Sequence, residues 1–178
     1  MLHITNAVTY TSETESLYNS AFPPEERYLP FKETVEQFSG GRGELLVFAD
    51  GDQFVGFVMT LPHPKLAYLY YFAIHPDLRS HGYGSQALTL IRDYYAGLPI
   101  AFSVEPEDED AENLAQRLKR KDFYRRNGFH DTELFVGYND CRFQIMSSGE
   151  TPSQKIMDDL LVRIDGMVTD GKLTMSMD

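Results

Sequence analysis

The residues best suited to chemistry form one short run, Arg79-Ser80-His81-Gly82-Tyr83-Gly84-Ser85, between an apolar segment and a helical one. Glycines let a backbone approach a ligand closely. The free N–H groups at the start of the following helix then offer several donors and a partial positive charge to a phosphate. Arg79 can add charge-assisted hydrogen bonds. The plain alternative is a connecting loop with a glycine turn. A sharper competitor is the dinucleotide fingerprint: Gly82, Gly84 and Ala87 satisfy G-x-G-x-x-A, and Glu105 follows at a distance that could meet a ribose. The lead-in argues against it. Seven residues separate Ile74 from Gly82, whereas that fold places its first glycine almost directly after the strand. The motif also follows three strands, which leaves too few for a full dinucleotide-binding sheet.

A second concentration of charge lies downstream. Six acidic residues fall between Glu105 and Glu112, and six basic ones between Arg117 and Arg126. Carboxylates before a helix and cations at its end complement the helix dipole on a solvated face. The functional alternative is that the acidic loop draws in an ammonium group. Histidines 3, 63, 75, 81 and 130 show no metal-ligand spacing, and no serine sits in a nucleophile elbow. No metal site is expected.

Composition narrows the field further. A chain of 178 residues suits one well-buried domain, and 42% hydrophobic with 24% charged residues is a globular profile. Sixteen Lys and Arg against 27 Asp and Glu leave a net charge of −11. That surface repels a phosphate backbone, so no nucleic-acid partner is expected and a cationic one is. Cys141 is the single cysteine, which excludes an intramolecular disulfide framework. The first basic residue is Arg27, and the longest apolar run, Leu66 to Ile74, is nine residues. Neither a secretion signal nor a membrane span is expected, and the reading is a cytoplasmic domain.

The elements that must position these residues follow from periodicity and punctuation. A first strand is expected over about Leu2 to Val8, then a helix from Thr11 or Ser12 that stops at Phe22-Pro23-Pro24. Phe31 to Phe38 reads as a short helix. Leu45–Ala49 and Phe54–Thr60 read as a hairpin around Asp50-Gly51-Asp52. Leu66–Ile74 is a strand covered on both faces, followed by a helix over Gly84–Ala96 and a strand over Pro99–Val104. A further helix is expected over Asp110–Arg126, then strands over Thr132–Gly137 and Arg142–Ser147. Thr151-Pro152 opens a last helix, with the hydroxyl as cap and proline in the first turn. Its stripe is Ile156, Leu160, Ile164 and Val168, and a loose tail follows Asp170. The fold class is α/β, with a mixed, largely antiparallel central sheet flanked by helices. Residues 1–149 form the domain, and residues 150–178 form a helix and tail packed on it or on a dimer partner.

Arg79-x-x-Gly82-x-Gly84, after a strand ending Phe72-Ala73-Ile74-His75-Pro76, resembles the acetyl-CoA signature of the GNAT N-acetyltransferases. Phe123-Tyr124-Arg125-Arg126-Asn127-Gly128-Phe129 resembles that family's second signature, a helix ending in a tyrosine and then Gly-Phe. The order of elements from Leu2 to about Ser148 fits as well. The resemblance implies a sheet splayed between the strands Leu66–Ile74 and Pro99–Val104, with pantetheine in the gap. Backbone groups of Phe72, Ala73 and Ile74 would meet the pantetheine, and Arg79, Ser80, His81, Gly82, Tyr83, Gly84 and Ser85 would hold the pyrophosphate. Many members carry an asparagine seven residues before the tyrosine. Here that position is Arg117, with Asn113 a turn earlier, so Asn113, or Arg117 and Arg120, are the candidate contacts.

The implied activity is transfer of an acetyl group from acetyl-CoA to a primary amine on a small molecule or peptide. Tyr124 would be the general acid, its alternative being core packing beside Phe123. Glu105 is the first candidate for the base, with Glu25, Glu26 or a water chain next. In the resembled family, the segment Phe22 to Arg27 roofs the acceptor site, and an acidic pair under an aromatic roof suits a cationic amine. The competing readings are a CoA-binding module without turnover and an interaction protein that works through its C-terminal helix.

Overall fold

The computed structural model describes residues 1–24, 27, 29–138 and 141–167. Glu25 and Glu26 lie outside them, as does the tail after residue 167 with Val168 of the expected stripe. The architecture is α/β, with seven strands and five α-helices among the described residues. The chain divides into two compact units, Met1–Leu98 and Pro99–Asp178.

The first unit is an antiparallel sheet of β1 (Leu2–Thr5), β2 (Glu44–Asp50), β3 (Gln53–His63) and β4 (Leu66–Ile74), paired in that order. With it are α1 (Thr11–Ala21), α2 (Phe31–Gln37) and α3 (Tyr83–Tyr94). Apolar residues run without interruption through β4 and, with Thr60 as a buried exception, through the middle of β3, where Val55, Phe57, Val58, Met59 and Leu61 are wholly buried, as is Ala67 in β4. α1 packs on β3 and β4, where Tyr18 sets its ring edge-on to Tyr71 at 5.1 Å. The end of α3 is tied to the sheet by Tyr95, whose hydroxyl donates to Glu44 at 2.5 Å and meets Thr60. Burial and the Glu44 carboxylate push that phenol well above its usual range. Gly56 is required by its neighbour, since a Cβ there would lie 2.3 Å from the Ala73 carbonyl oxygen.

Two expected boundaries move, those of β1 and β3, while the end of α1 falls where the proline pair places it. β1 stops at Thr5 rather than Val8, because the Asn6 side chain accepts from the Val8 N–H at 2.9 Å and caps a 3-10 turn over Ala7–Tyr10. α1 ends at Ala21, with Phe22 extended before Pro23, as a residue preceding proline tends to be. β3 runs on to His63, so the hairpin is longer than its hydrophobic centre suggests.

The second unit holds β5 (Ile100–Val104), α4 (Leu114–Arg126), β6 (His130–Tyr138), β7 (Cys141–Ser147) and α5 (Gln154–Asp165). β7 lies between β5 and β6, antiparallel to both. α4 begins at Leu114, not Asp110. The acidic run ahead of it is a turn in which the Asp108 carboxylate accepts from the Asp110 N–H at 3.1 Å. α5 is capped by Ser153, whose hydroxyl accepts from Ile156 at 3.4 Å, so Thr151-Pro152 lies before the helix. Its buried face is Met157, Leu160, Leu161, Ile164 and Met167. Ile156 is half-exposed.

Candidate active site

In the first unit the phosphate-loop candidates lie between β4 and α3. Pro76–Leu78 makes a single 3-10 turn. Ser80 and Gly82 then adopt left-handed backbone, at φ 65° and 82°. For Gly82 that conformation costs nothing, and it aims the chain into α3 with no side-chain cap. The first intrahelical bond runs from Gln86 N–H to the Gly82 carbonyl at 3.1 Å. The N–H groups of Tyr83, Gly84 and Ser85 therefore come before the helix ladder and face out from its positive end. His81 Nδ1 is 2.7 Å from the Arg79 carbonyl, and Arg79 Nε donates to the Ile74 carbonyl at 3.1 Å. The remaining guanidinium nitrogens of Arg79 make no hydrogen bond among the described residues. Backbone donors and a cation thus share one loop, an arrangement suited to an anionic diphosphate.

On β4, pairing decides which backbone groups are available. His75 N–H bonds the Val55 carbonyl at 2.8 Å, and the register runs Ile74↔Gly56, Ala73↔Phe57, Phe72↔Val58. Because bonded and non-bonded pairs alternate in an antiparallel ladder, Ala73 is bonded to β3, while Phe72 and Ile74 turn their N–H and carbonyl groups away from it. This corrects the expectation for Ala73, whose backbone groups are used inside the sheet. It leaves Phe72 and Ile74 as the strand's outward-facing pair, with the Ile74 carbonyl taken by Arg79.

In the second unit, Tyr124 lies on the last turn of α4, and Gly128 at φ 80° closes that helix. Its ring packs on Phe102 at 4.2 Å and near Phe123 and Phe129 at 5.1 and 5.9 Å. The packing expected as the alternative for Tyr124 is therefore present. The hydroxyl makes no hydrogen bond among the described residues. Burial pushes the phenol up to about 12, with the Arg120 charge opposing the shift. It is a protonated donor with its proton uncommitted.

Glu105, Asn113, Arg117 and Arg120 are brought together, but onto one another. Glu105 Oε1 accepts from Asn113 at 3.2 Å and pairs with Arg117 at 3.2 Å, while Oε2 accepts from Arg120 at 2.9 Å. All three Arg117 nitrogens are engaged, the other two by the Asn113 side chain at 2.6 Å and the Pro106 carbonyl at 3.2 Å. A free carboxylate base was the expectation for Glu105. Instead, both of its oxygens are held in charge-assisted contacts with Arg117 and Arg120. Every polar side-chain atom of Arg117 and Asn113 thus has a partner, whereas Arg120 has two nitrogens with no hydrogen bond among the described residues. The run between residues 105 and 131 continues as ion pairs. Lys121, with its side chain 3% exposed, meets Asp131 at 2.5 Å and Glu107 at 3.5 Å, and Arg125 bonds Glu107 and Asp131, each at 2.6 Å. Of the acidic run, Glu105 and Glu107 pair with the basic one, through Arg117, Arg120, Lys121 and Arg125, while Asp108, Glu109, Asp110 and Glu112 make no ion pair among the described residues.

A cavity of about 340 Å³ between α1, α2 and β2 is lined by Val8, Thr11, Phe31, Val35, Phe38 and Leu45 among others, and by none of these site residues. Among the described residues, no group of three His, Cys, Asp or Glu side chains could hold a metal ion, and no helix is long and apolar enough to cross a membrane.

Comparison with known proteins identifies the family. The profile of the acetyltransferase (GNAT) family matches residues 11–129. That stretch is more than half of the chain, and the chain belongs to this family. A protein described as a GNAT-family acetyltransferase from Bacteroides thetaiotaomicron superposes with a TM-score of 0.70 at 22% identity, covering 98% of this chain and 99% of its own. An aminoglycoside 6'-N-acetyltransferase solved with coenzyme A gives 0.62 at 16% identity, covering 86% and 99%. Arabidopsis thaliana Naa50, bound to a bisubstrate analogue of CoA and a peptide, gives 0.58 at 18%, covering 84% and 98%. At these identities the likeness is one of fold. No curated protein matches the sequence.

Proposed function

We propose that the protein transfers the acetyl group of acetyl-CoA to a primary amine by direct attack within a ternary complex. The observation that carries this is the cradle at the start of α3, where left-handed Gly82 leads into three N–H groups outside the helix ladder. Those groups, with Arg79, would hold the CoA pyrophosphate. The outward N–H and carbonyl of Phe72 would pair with the pantetheine amides, and the Ile74 N–H would face the thioester.

An alkylammonium with pKa near 10.4 must lose its proton before it can attack. With Glu105 committed to Arg117 and Arg120, we assign that proton to solvent water. The amine nitrogen then attacks the thioester carbonyl, and the oxyanion is stabilised by the Ile74 N–H. The carbon–sulfur bond breaks as the leaving thiolate takes the Tyr124 proton, and the second proton of the amine nitrogen passes through water to restore the phenol. A positioned acid is typically worth about 10²–10⁴-fold in rate.

The net charge of −11 favours a cationic acceptor. Relatives of this fold include an enzyme of aminoglycosides and one bound to a peptide conjugate, so polyamine, aminoglycoside and peptide amines are the classes to try. The test is thiol release from acetyl-CoA across an amine panel, with mass analysis of the product. Acetylated amine appearing in step with CoA supports the assignment. Tight CoA binding with no turnover on any amine would favour a CoA-binding module instead.

A further inference from the structure

Among the described residues, side chains tie the phosphate-loop candidate to the sheet at two points, Arg79 to the end of β4, the strand it leaves, and Tyr83 to β2. From residues 79–85, a single side-chain hydrogen bond reaches beyond the loop's own neighbourhood among the described residues: Tyr83 Oη donates to Asp50 Oδ2 at 2.9 Å. The bonds of Arg79 and His81 stay within five residues. Nothing else of that kind restrains a segment with two left-handed residues, Ser80 and Gly82.

Asp50 is itself firmly held. It ends β2, paired across the sheet with Leu2 on one side and Gln53 on the other. Its second oxygen lies 2.5 Å from the Met1 amino group. That ammonium and the Tyr83 hydroxyl keep the carboxyl below its ordinary range, so it stays a charged acceptor. Tyr83 is also the first residue of α3, and its N–H is the first of the three cradle donors. Its ring is a strut between the end of β2 and the point where the helix presents those donors.

We infer that Asp50 is a positioning residue for the diphosphate cradle, acting through the Tyr83 hydroxyl to fix the direction in which Tyr83, Gly84 and Ser85 point their N–H groups. This rests on the reading that the cradle holds the phosphates of CoA. Loss of the strut should weaken binding of any ligand with a diphosphate and leave a phosphate-free fragment unaffected, because the outward backbone of β4 does not depend on it.

The experiment is calorimetric titration of wild type, Tyr83→Phe, Asp50→Ala and Asp50→Asn with CoA and with pantetheine, alongside the KM for acetyl-CoA. Tyr83→Phe and Asp50→Ala should each raise the CoA Kd about two- to tenfold, the range of one hydrogen bond. The double variant should be no weaker than either single one, because both remove the same contact. Asp50→Asn keeps an acceptor oxygen and should recover most of the affinity. The rise should appear in KM for acetyl-CoA by a similar factor, with the pantetheine Kd unmoved. If Tyr83→Phe, which keeps the ring and its packing, binds CoA with wild-type affinity, the strut has no such role even should Asp50→Ala fail to fold. If wild type binds pantetheine as tightly as CoA, the cradle holds no phosphate, and the underlying reading fails instead.

Discussion

Replacing Gly82 with valine separates the cost of folding from the cost of binding. Gly82 sits at φ 82°, where an L-residue costs roughly 1–2 kcal/mol and a β-branched one is an outlier. Sterically the site is open, since a Cβ there would have only Gln86 Nε2 within 4 Å, at 3.7 Å. The fold should therefore lose about 1–2 kcal/mol, which lowers Tm by roughly 2–8 °C in a chain of this size. Affinity should fall much further. A side chain at this position holds a phosphate away from N–H groups whose hydrogen bonds to a charged partner are worth about 1.5–3 kcal/mol each, and losing one weakens CoA binding about 10- to 150-fold. Gly82→Asn is the control, because asparagine tolerates the left-handed region but still blocks close approach. It should recover most of the Tm and little of the affinity. Calorimetry with CoA and thermal shift with CoA or NAD(P) read both quantities, and ligand at 100 times its Kd should add about 2.7 kcal/mol to wild type. NAD(P) should add nothing. Wild-type CoA affinity in Gly82→Val, or stabilisation by NAD(P) and not by CoA, would refute the cradle.

Three further outcomes follow from the contacts. Truncation after Glu150 removes five buried apolar side chains of α5 and its following turn, each worth about 1.5–3 kcal/mol. The shortened chain should be insoluble or unfolded, and one melting like the full chain would show that this face covers nothing of consequence. Glu105→Ala should lower Tm by freeing Arg117 and Arg120 yet reduce kcat less than tenfold. A loss of about 10²-fold or more, together with loss of an acidic limb in the pH profile, would restore Glu105 as the base. With Tyr124 raised to about 12, its proton is retained through the range in which the amine deprotonates. The kcat profile should rise up to about pH 10.5 without a fall, and a basic limb centred near 10 would indicate an ordinary phenol or another acid.

How much was legible depended on the range of the interaction. Proline and glycine act locally, so the end of α1 before Pro23 and the entry to α3 at Gly82 were readable from residue type. The two family signatures carried Tyr124 and the loop. Local polar competition was harder. Asn6 and Asp108 each bond a backbone N–H two residues on, and both displaced a boundary that hydrophobic periodicity alone set elsewhere. The stripe of α5 was half right, with Leu160 and Ile164 buried but Met157 in place of Ile156, because spacings of three and four are both compatible with one face. Least legible were partners distant in sequence. The acidic and basic runs were both visible, but their mutual pairing through Glu105, Glu107 and Asp131 depends on how β5, α4 and β6 come together. The same holds for Tyr83 with Asp50 and Tyr95 with Glu44, separated by 33 and 51 residues.

The central claim is that this chain turns over acetyl-CoA with Tyr124 as proton donor, and one paired measurement addresses it most directly. Wild type and Tyr124→Phe are titrated with CoA and assayed for thiol release with the best amine of the panel, under conditions where chemistry limits the rate. Phenylalanine keeps the ring on Phe102 and removes only the hydroxyl. CoA affinity should stay within about twofold while kcat falls at least about tenfold, the lower part of the range for a lost acid. Equal kcat in the two proteins, with CoA bound equally well, would make Tyr124 a packing residue and contradict the mechanism.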